Sequence, residues 1–155
     1  MKYAVPILVC VFLLGVVAYL YNAQHTQPNP GLPMQTITID GKNIKVEVAS
    51  TEVQREQGLS DRTALPTGHG MLFVFDPARK VAFWMKDMKF SIDMIFADEQ
   101  GVIVKIYKDA SPESYFNQHP PQIFPSEMPV RYVLEVPAGY AEAQGIAIGQ
   151  KIVVK

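Results

Sequence analysis

Arg55, Arg62, Lys86 and Asp93 are the residues of this chain whose types suit a polar site. In the apolar string Ile92–Asp98, read as a strand, Asp93 shares a face with Ile95 and Ala97, because side chains alternate along a strand. A carboxyl on that face is partly buried, and a buried carboxylate without a partner is expensive. Arg55 is the expected mate, since a guanidinium can grip a carboxylate through two parallel N–H bonds, here as a structural clamp of helix to sheet. The functional alternative sets Arg55, Arg62 and Lys86 around a ligand carboxylate or phosphate, with Asp93 as acid, base or electrostatic stabiliser if that ligand is a substrate. Trp84 shares its face with Ala82 and Lys86, while Phe83 and Met85 point the other way into the core. Its ring suits either burial with one satisfied N–H or a stacking platform for a saccharide or peptide.

Met85-x-x-Met88 with Met94 nearby is a spacing that thioether-seeking Cu(I) could use. Alternation, however, sends neighbouring strand methionines to different faces, and Met71, Met85 and Met94 stand in apolar contexts that assign them to core packing. The three histidines are scattered, His25 in a spacer and His69 and His119 in loops. No G-x-S-x-G string or phosphate-cradling glycine loop is present. No catalytic residue, metal site or cofactor is therefore assigned.

The elements that must hold these residues are short. Gln35–Ile39 and Asn43–Ala49 predict a hairpin about Asp40-Gly41, with Ile44, Val46 and Val48 alternating with polar neighbours. Thr51 as N-cap, Gln54 completing a capping box and Gly58 as the stop predict a short helix carrying Arg55, with Leu59 folding back against Val53. A turn-rich connection, residues 60–70, leads into the strand Met71–Phe75, which Asp76-Pro77 stops. Val81–Lys86, Ile92–Asp98 and Val102–Lys108 predict a three-strand meander. Five prolines make Ser111–Pro129 a long surface loop. A strand at Val130–Val136, a short helix at Tyr140–Gln144 and a last strand at Lys151–Val154 complete the pattern. The expected fold is mainly β, a compact barrel- or sandwich-like antiparallel domain with one or two short helices, since parallel crossovers lack the long helices they usually carry.

At 155 residues and 48% hydrophobic, the chain supports one domain with a real core. A formal charge of -1 and 19% charged residues argue against nucleic acid as a partner. From Tyr3 to Tyr21 runs an uncharged apolar stretch of about 19 residues, roughly a bilayer span. Lys2 precedes it and no further Lys or Arg occurs before Lys42, which keeps the N-terminus in the cytoplasm and the rest outside. Residues 1–21 are thus expected to be a transmembrane anchor. A cleaved signal peptide is the rival, disfavoured because bulky Tyr21 sits two residues before Ala23. Cys10 lies within the run, so residues 35–155 form an exported domain without cysteine, and residues 22–34, polar and rich in proline, form its linker.

Four strings, "REQGLSDR" (55–62), "GMLFVF" (70–75), "FWMKDMKFSIDMIF" (83–96) and "YVLEVPAG" (132–139), occur in that order. Together they resemble the uncharacterised domain-of-unknown-function family one hundred and ninety-two over residues 35–155. The resemblance implies a compact, mainly β domain without an assigned activity. Arg55, Arg62, Trp84, Met85, Lys86 and Asp93 are the matching polar and aromatic positions, whereas Ser60, Asp87, Met88 and Ser91 depart from the family's usual residues.

The expected function is a membrane-tethered extracytoplasmic binding or accessory domain recognising an anionic or carbohydrate ligand or an envelope protein. Its ligand-binding candidates are Arg55, Arg62, Trp84, Lys86 and Asp93. The alternatives are an enzyme acting on an envelope carbohydrate or related anionic substrate, and a copper-handling domain.

Overall fold

The computed structural model describes residues 31–154; the anchor expected over residues 1–21 and most of the linker lie outside the described residues. Among the described residues no helix is long and apolar enough to cross a membrane. The elements, in chain order, are β1 (Met34–Ile39), β2 (Lys42–Ala49), α1 (Glu52–Gln57), β3 (His69–Arg79), β4 (Ala82–Phe83), β5 (Ile92–Ala97) and β6 (Ile103–Ala110), followed by α2 (Glu113–Phe116), β7 (Phe124–Pro125), β8 (Val130–Pro137), α3 (Tyr140–Ala143) and β9 (Ile152–Val154). Packing extends upstream of β1, because Leu32 is buried and the carbonyl of Pro33 accepts from the Val48 N–H.

Local chemistry sets the element ends as the sequence predicts. Asp40 and Gly41 both take positive φ, the geometry a two-residue hairpin demands. Thr51 accepts from the Gln54 N–H and the Gln54 side chain accepts from the Thr51 N–H, so the capping box is complete. Leu59 is buried in the core while Val53 stays exposed, so the expected contact between them gives way to core packing.

Seven strands form one sheet in the order β6-β5-β8-β3-β2-β1-β9. All its strand pairs are antiparallel except β2 with β3, a correction to the all-antiparallel expectation. The crossover between them carries only the six-residue α1, which suffices because residues 50–68 leave chain enough to return to the same end of the sheet. The predicted meander is also replaced. β8 lies beside β5, and only Ala82–Phe83 of the first predicted strand is extended, pairing with β7 in a separate ribbon. β3 runs on through Pro77 to Arg79, with a shift in register where the proline can give no ladder N–H. The proline-rich stretch 111–129 folds as α2 and β7 rather than as an unbroken loop.

The sheet curls into a half-barrel whose two edges touch at one corner. Val102 bridges Lys151, Ile103 donates to Gln150 O at 2.8 Å, and Ile152 donates to Gly101 O at 2.8 Å. One face carries Ile37, Ile39, Val46, Leu72, Ile95, Leu134 and Ile152, drawn from both edges and the centre, and is enclosed by the curl. The opposite face carries Met71, Phe73, Met94, Phe96 and Val133 and is covered by Leu59, Leu65, the β4–β7 ribbon and the segment Met85–Met88. Phe83, on the inner side of that ribbon, meets Phe73 and Phe96 edge to face.

Gly101 is required at the closing corner: its φ is +80° and a Cβ there would stand 2.6 Å from the carbonyl oxygen of Ile152, a backbone atom that cannot swing aside. Gly41 has a similar φ of +76° but open space around it. Gly101→Ala is expected to cost about 3 kcal/mol, strain plus overpacking, and Gly41→Ala about 1 kcal/mol from strain alone. Urea unfolding of the two variants checks the difference.

Candidate functional site

Asp93 is fully buried on the enclosed face, as its alternation with Ile95 and Ala97 predicts. Its partner is not Arg55. One carboxyl oxygen accepts from the N–H of Asp109 and the other from the N–H of Ala141, both at 2.9 Å. The first bond exists because β6 carries a bulge. Ile92 pairs with Ala110 and Met94 with Tyr107, leaving Lys108 and Asp109 opposite Asp93 alone. The second bond satisfies an N–H at the start of α3, whose N-cap, Gly139, has no side chain to offer. Fully buried and with both oxygens engaged inside the fold, Asp93 acts here as a structural acceptor. Asp93→Asn keeps one acceptor and turns an N–H toward the other donor, so it is expected to lose about 1–3 kcal/mol of stability, measured by urea unfolding.

Arg55 does clamp helix to sheet, but through backbone carbonyls. Its Nη1 donates to Ser50 O at 2.6 Å and Val74 O at 2.8 Å, its Nη2 donates to Glu52 at 2.6 Å, and the guanidinium lies over the Phe75 ring. Arg55 and Arg79 hold the Glu52 carboxyl below its ordinary range, the Arg55 hydrogen bond contributing most. Arg62 donates to Glu47 through both terminal nitrogens, at 2.5 and 2.7 Å, and these hydrogen bonds to the carboxylate raise the guanidinium's already high pKa. These two arginines and Asp93 are therefore occupied by contacts within the domain.

Trp84 and Lys86 remain free for other partners. Trp84 is 59% exposed. It stands next to the Phe83–Phe124 pair of the ribbon, as does Ile123, which is 55% exposed. Lys86 is exposed, its amino group 3.9 Å from Asp87. The turn that carries it is fixed from below: the Ser60 hydroxyl donates to Lys86 O at 3.3 Å and the Asp61 N–H donates to Asp87 O at 2.8 Å. The structure thus brings Trp84 and Lys86 to one segment, and separates them from Asp93, which lies on the enclosed face.

Glu135 was not singled out by residue type or spacing, yet it is the most unusual ionisable group of the domain. It lies mid-strand in β8, 4% exposed, with Met71 directly opposite on β3 and Met94 directly opposite on β5. No described residue donates to its carboxyl, and burial alone pushes its pKa up to about 8. The signal in the sequence was the single charge in "YVLEVPAG", an apolar string whose two flanking positions on the same face are Val133 and Pro137. In the unfolded chain this carboxyl ionises near 4.5, whereas in the folded chain it holds its proton to about 8. Folding stability is therefore full below pH 4.5 and falls as pH rises through about 8, by an amount on the order of a few kcal/mol. Glu135→Gln, which cannot ionise, is expected to flatten that decline and to exceed the parent in stability above pH 8, as read from denaturation midpoints across a pH series.

The fold and these residues define a small, mainly β domain with a curled sheet, one face sealed by its own edges and the other roofed by a short ribbon and turn. Residues 35–154 match the model of the DUF192 family, described as "Uncharacterized ACR, COG1430", and the chain belongs to that family. A crystal structure from Sinorhizobium meliloti 1021, described as a proposed transcription regulator, is similar with a TM-score of 0.74 and 32% identity, over 82% of this chain and 98% of that one. A protein of unknown function from Novosphingobium aromaticivorans is similar with a TM-score of 0.71 and 28% identity, over 81% of this chain and 89% of that one. No curated protein sequence matches the chain.

Proposed function

We propose that this chain is a membrane-tethered extracytoplasmic binding module that meets an anionic or carbohydrate ligand through Trp84 and Lys86. The observation that carries the reading is the exposure of Trp84, immediately after a ribbon whose inner side is packed. A large aromatic ring left in water on a fixed platform suits stacking on a sugar face, and the adjacent ammonium suits a carboxylate or phosphate on the same ligand. Arg55, Arg62 and Asp93, engaged elsewhere within the domain, take no part in this site. The tether rests on the apolar run Tyr3–Tyr21 and its flanking charges.

Two other readings draw less support. Acid or base catalysis by Asp93 draws less support because the residue is fully buried and both its oxygens bond backbone N–H groups. The regulator description belongs to the Sinorhizobium protein; in this chain no described helix exceeds six residues, short of one that could lie in a major groove, and the formal charge is -1.

Trp84 is the chain's single tryptophan, so its fluorescence reports the site directly. Full-length protein in detergent, titrated with neutral and uronic-acid oligosaccharides, is expected to show a blue shift for at least one acidic saccharide, and Lys86→Ala is expected to weaken that response about tenfold, the loss of one charge-assisted hydrogen bond. Emission that stays fixed across the whole panel would remove the proposal.

A further inference from the structure

The roofed face of the sheet gathers four of the chain's seven methionines, Met71, Met85, Met88 and Met94, into one buried cluster. Strand alternation argues against such a gathering for Met85 and Met88. It occurs because β4 ends at Phe83 and the segment from Met85 to Met88 is a turn rather than a strand, so both side chains fold onto the same face. On the same face of the sheet Glu135 stands between Met71 and Met94 in a single cross-strand row. Residues directly opposite in antiparallel pairs have Cβ atoms about 4.5–5.5 Å apart, within reach for both flexible thioethers to meet the carboxyl. Packing alone explains buried methionines, but it gives no reason for a carboxyl among them with no donor from any described residue. The carboxyl is not wholly sealed: Glu135 keeps 4% of its surface and Met88, in the roofing turn, keeps 7%.

We propose that Glu135, Met71 and Met94, with Met85 or Met88 closing from above, form a site for a soft monovalent cation, Cu(I) or its analogue Ag(I). Thioethers select such ions over hard divalent cations, and one carboxylate neutralises one positive charge, so the buried pair carries no net charge. Among the described residues no group of three His, Cys, Asp or Glu could hold a metal ion, which leaves the thioethers as the selecting ligands. The exchange balances without redox chemistry: the Glu135 carboxylic acid releases H⁺ and its oxygen bonds the cation. Other polar groups on that face have different engagements: Glu47 is held by Arg62, Lys105 pairs with Glu127, the Tyr107 hydroxyl donates to Pro125 O, His69 Nδ1 contacts Thr67 O, and Lys86, Asp87 and Lys89 on the roof are exposed to water, while the Nε of Arg55, whose guanidinium lies over Phe75, is buried without a partner.

The test is titration of the full-length protein in detergent with Cu(I), held in competition with a chromophoric Cu(I) chelator, and with Ag(I) alone. One equivalent is expected to bind. Glu135→Gln and the double variant Met71→Leu with Met94→Leu are expected to lose at least the roughly 10–100-fold that removing a mere supporting group costs a metal site. Leucine for methionine conserves volume, so the double variant keeps the fold, and circular dichroism verifies it. Met34→Leu and Met128→Leu, at exposed positions, leave binding unchanged. Absence of one-equivalent binding, or binding that these variants do not weaken, overturns the proposal. The saccharide response of Trp84 is read separately, so either result stands without the other.

Discussion

A bulge in β6 leaves Asp109 at φ +50° with an N–H turned away from the regular ladder, and the glycine before α3 leaves an N–H at that helix start without a side-chain cap. Both donors are directed at one point inside the curl, where Asp93 projects from β5. Buried donors without acceptors each cost on the order of 1–3 kcal/mol, so a single carboxyl settles two local defects at once. The consequence is architectural. The bulge adds twist to an edge strand, and α3 starts the chain back toward β9, so the acceptor that stabilises both also favours the meeting of the two edges at Val102 and Lys151.

The two carboxyls of the sheet interior make a physical contrast. Asp93 and Glu135 are both nearly removed from water, on opposite faces of neighbouring strands. The first finds two N–H groups because irregular backbone lies beside it. The second faces regular ladder on both sides, where every nearby amide is committed to a strand partner, and its neighbours are thioethers that cannot donate. Burial then has no compensation, and the carboxyl retains its proton to about 8. Backbone regularity, more than depth, decides which carboxyl is structural and which is left with unused capacity.

Much of this was legible in the sequence because it depended on local signals. The Asp40-Gly41 turn, the Thr51–Gln54 capping box, the strand at Ile92 and the burial of Asp93 follow from residues within a few positions of each other. The identity of Asp93's partners did not, since Asp109 and Ala141 present backbone N–H groups that any residue type would present. The parallel pairing of β2 with β3 was hidden for a similar reason: a short helix and a turn-rich connection look alike whether the chain reverses or crosses over. Glu135 was passed over because it stands alone, without a cation at any suggestive spacing. Strand alternation would disperse the methionines only if the strand ran through Met85, and it stops at Phe83.

Trp84 and Met85 are consecutive, yet one ring lies in water and the other side chain lies in the core. A segment that links outer platform to inner thioether is the shared element of both proposed sites. It is held to the domain by a few polar bonds, from Ser60 and Asp61 to the carbonyls of Lys86 and Asp87, and by the burial of Met85 and Met88. Changing those bonds would disturb the exposed indole and the buried thioethers together, because one short stretch of backbone carries both. Asp87 takes a φ of +56°, a conformation that Asp tolerates, and Met88 adds a fourth thioether to the cluster.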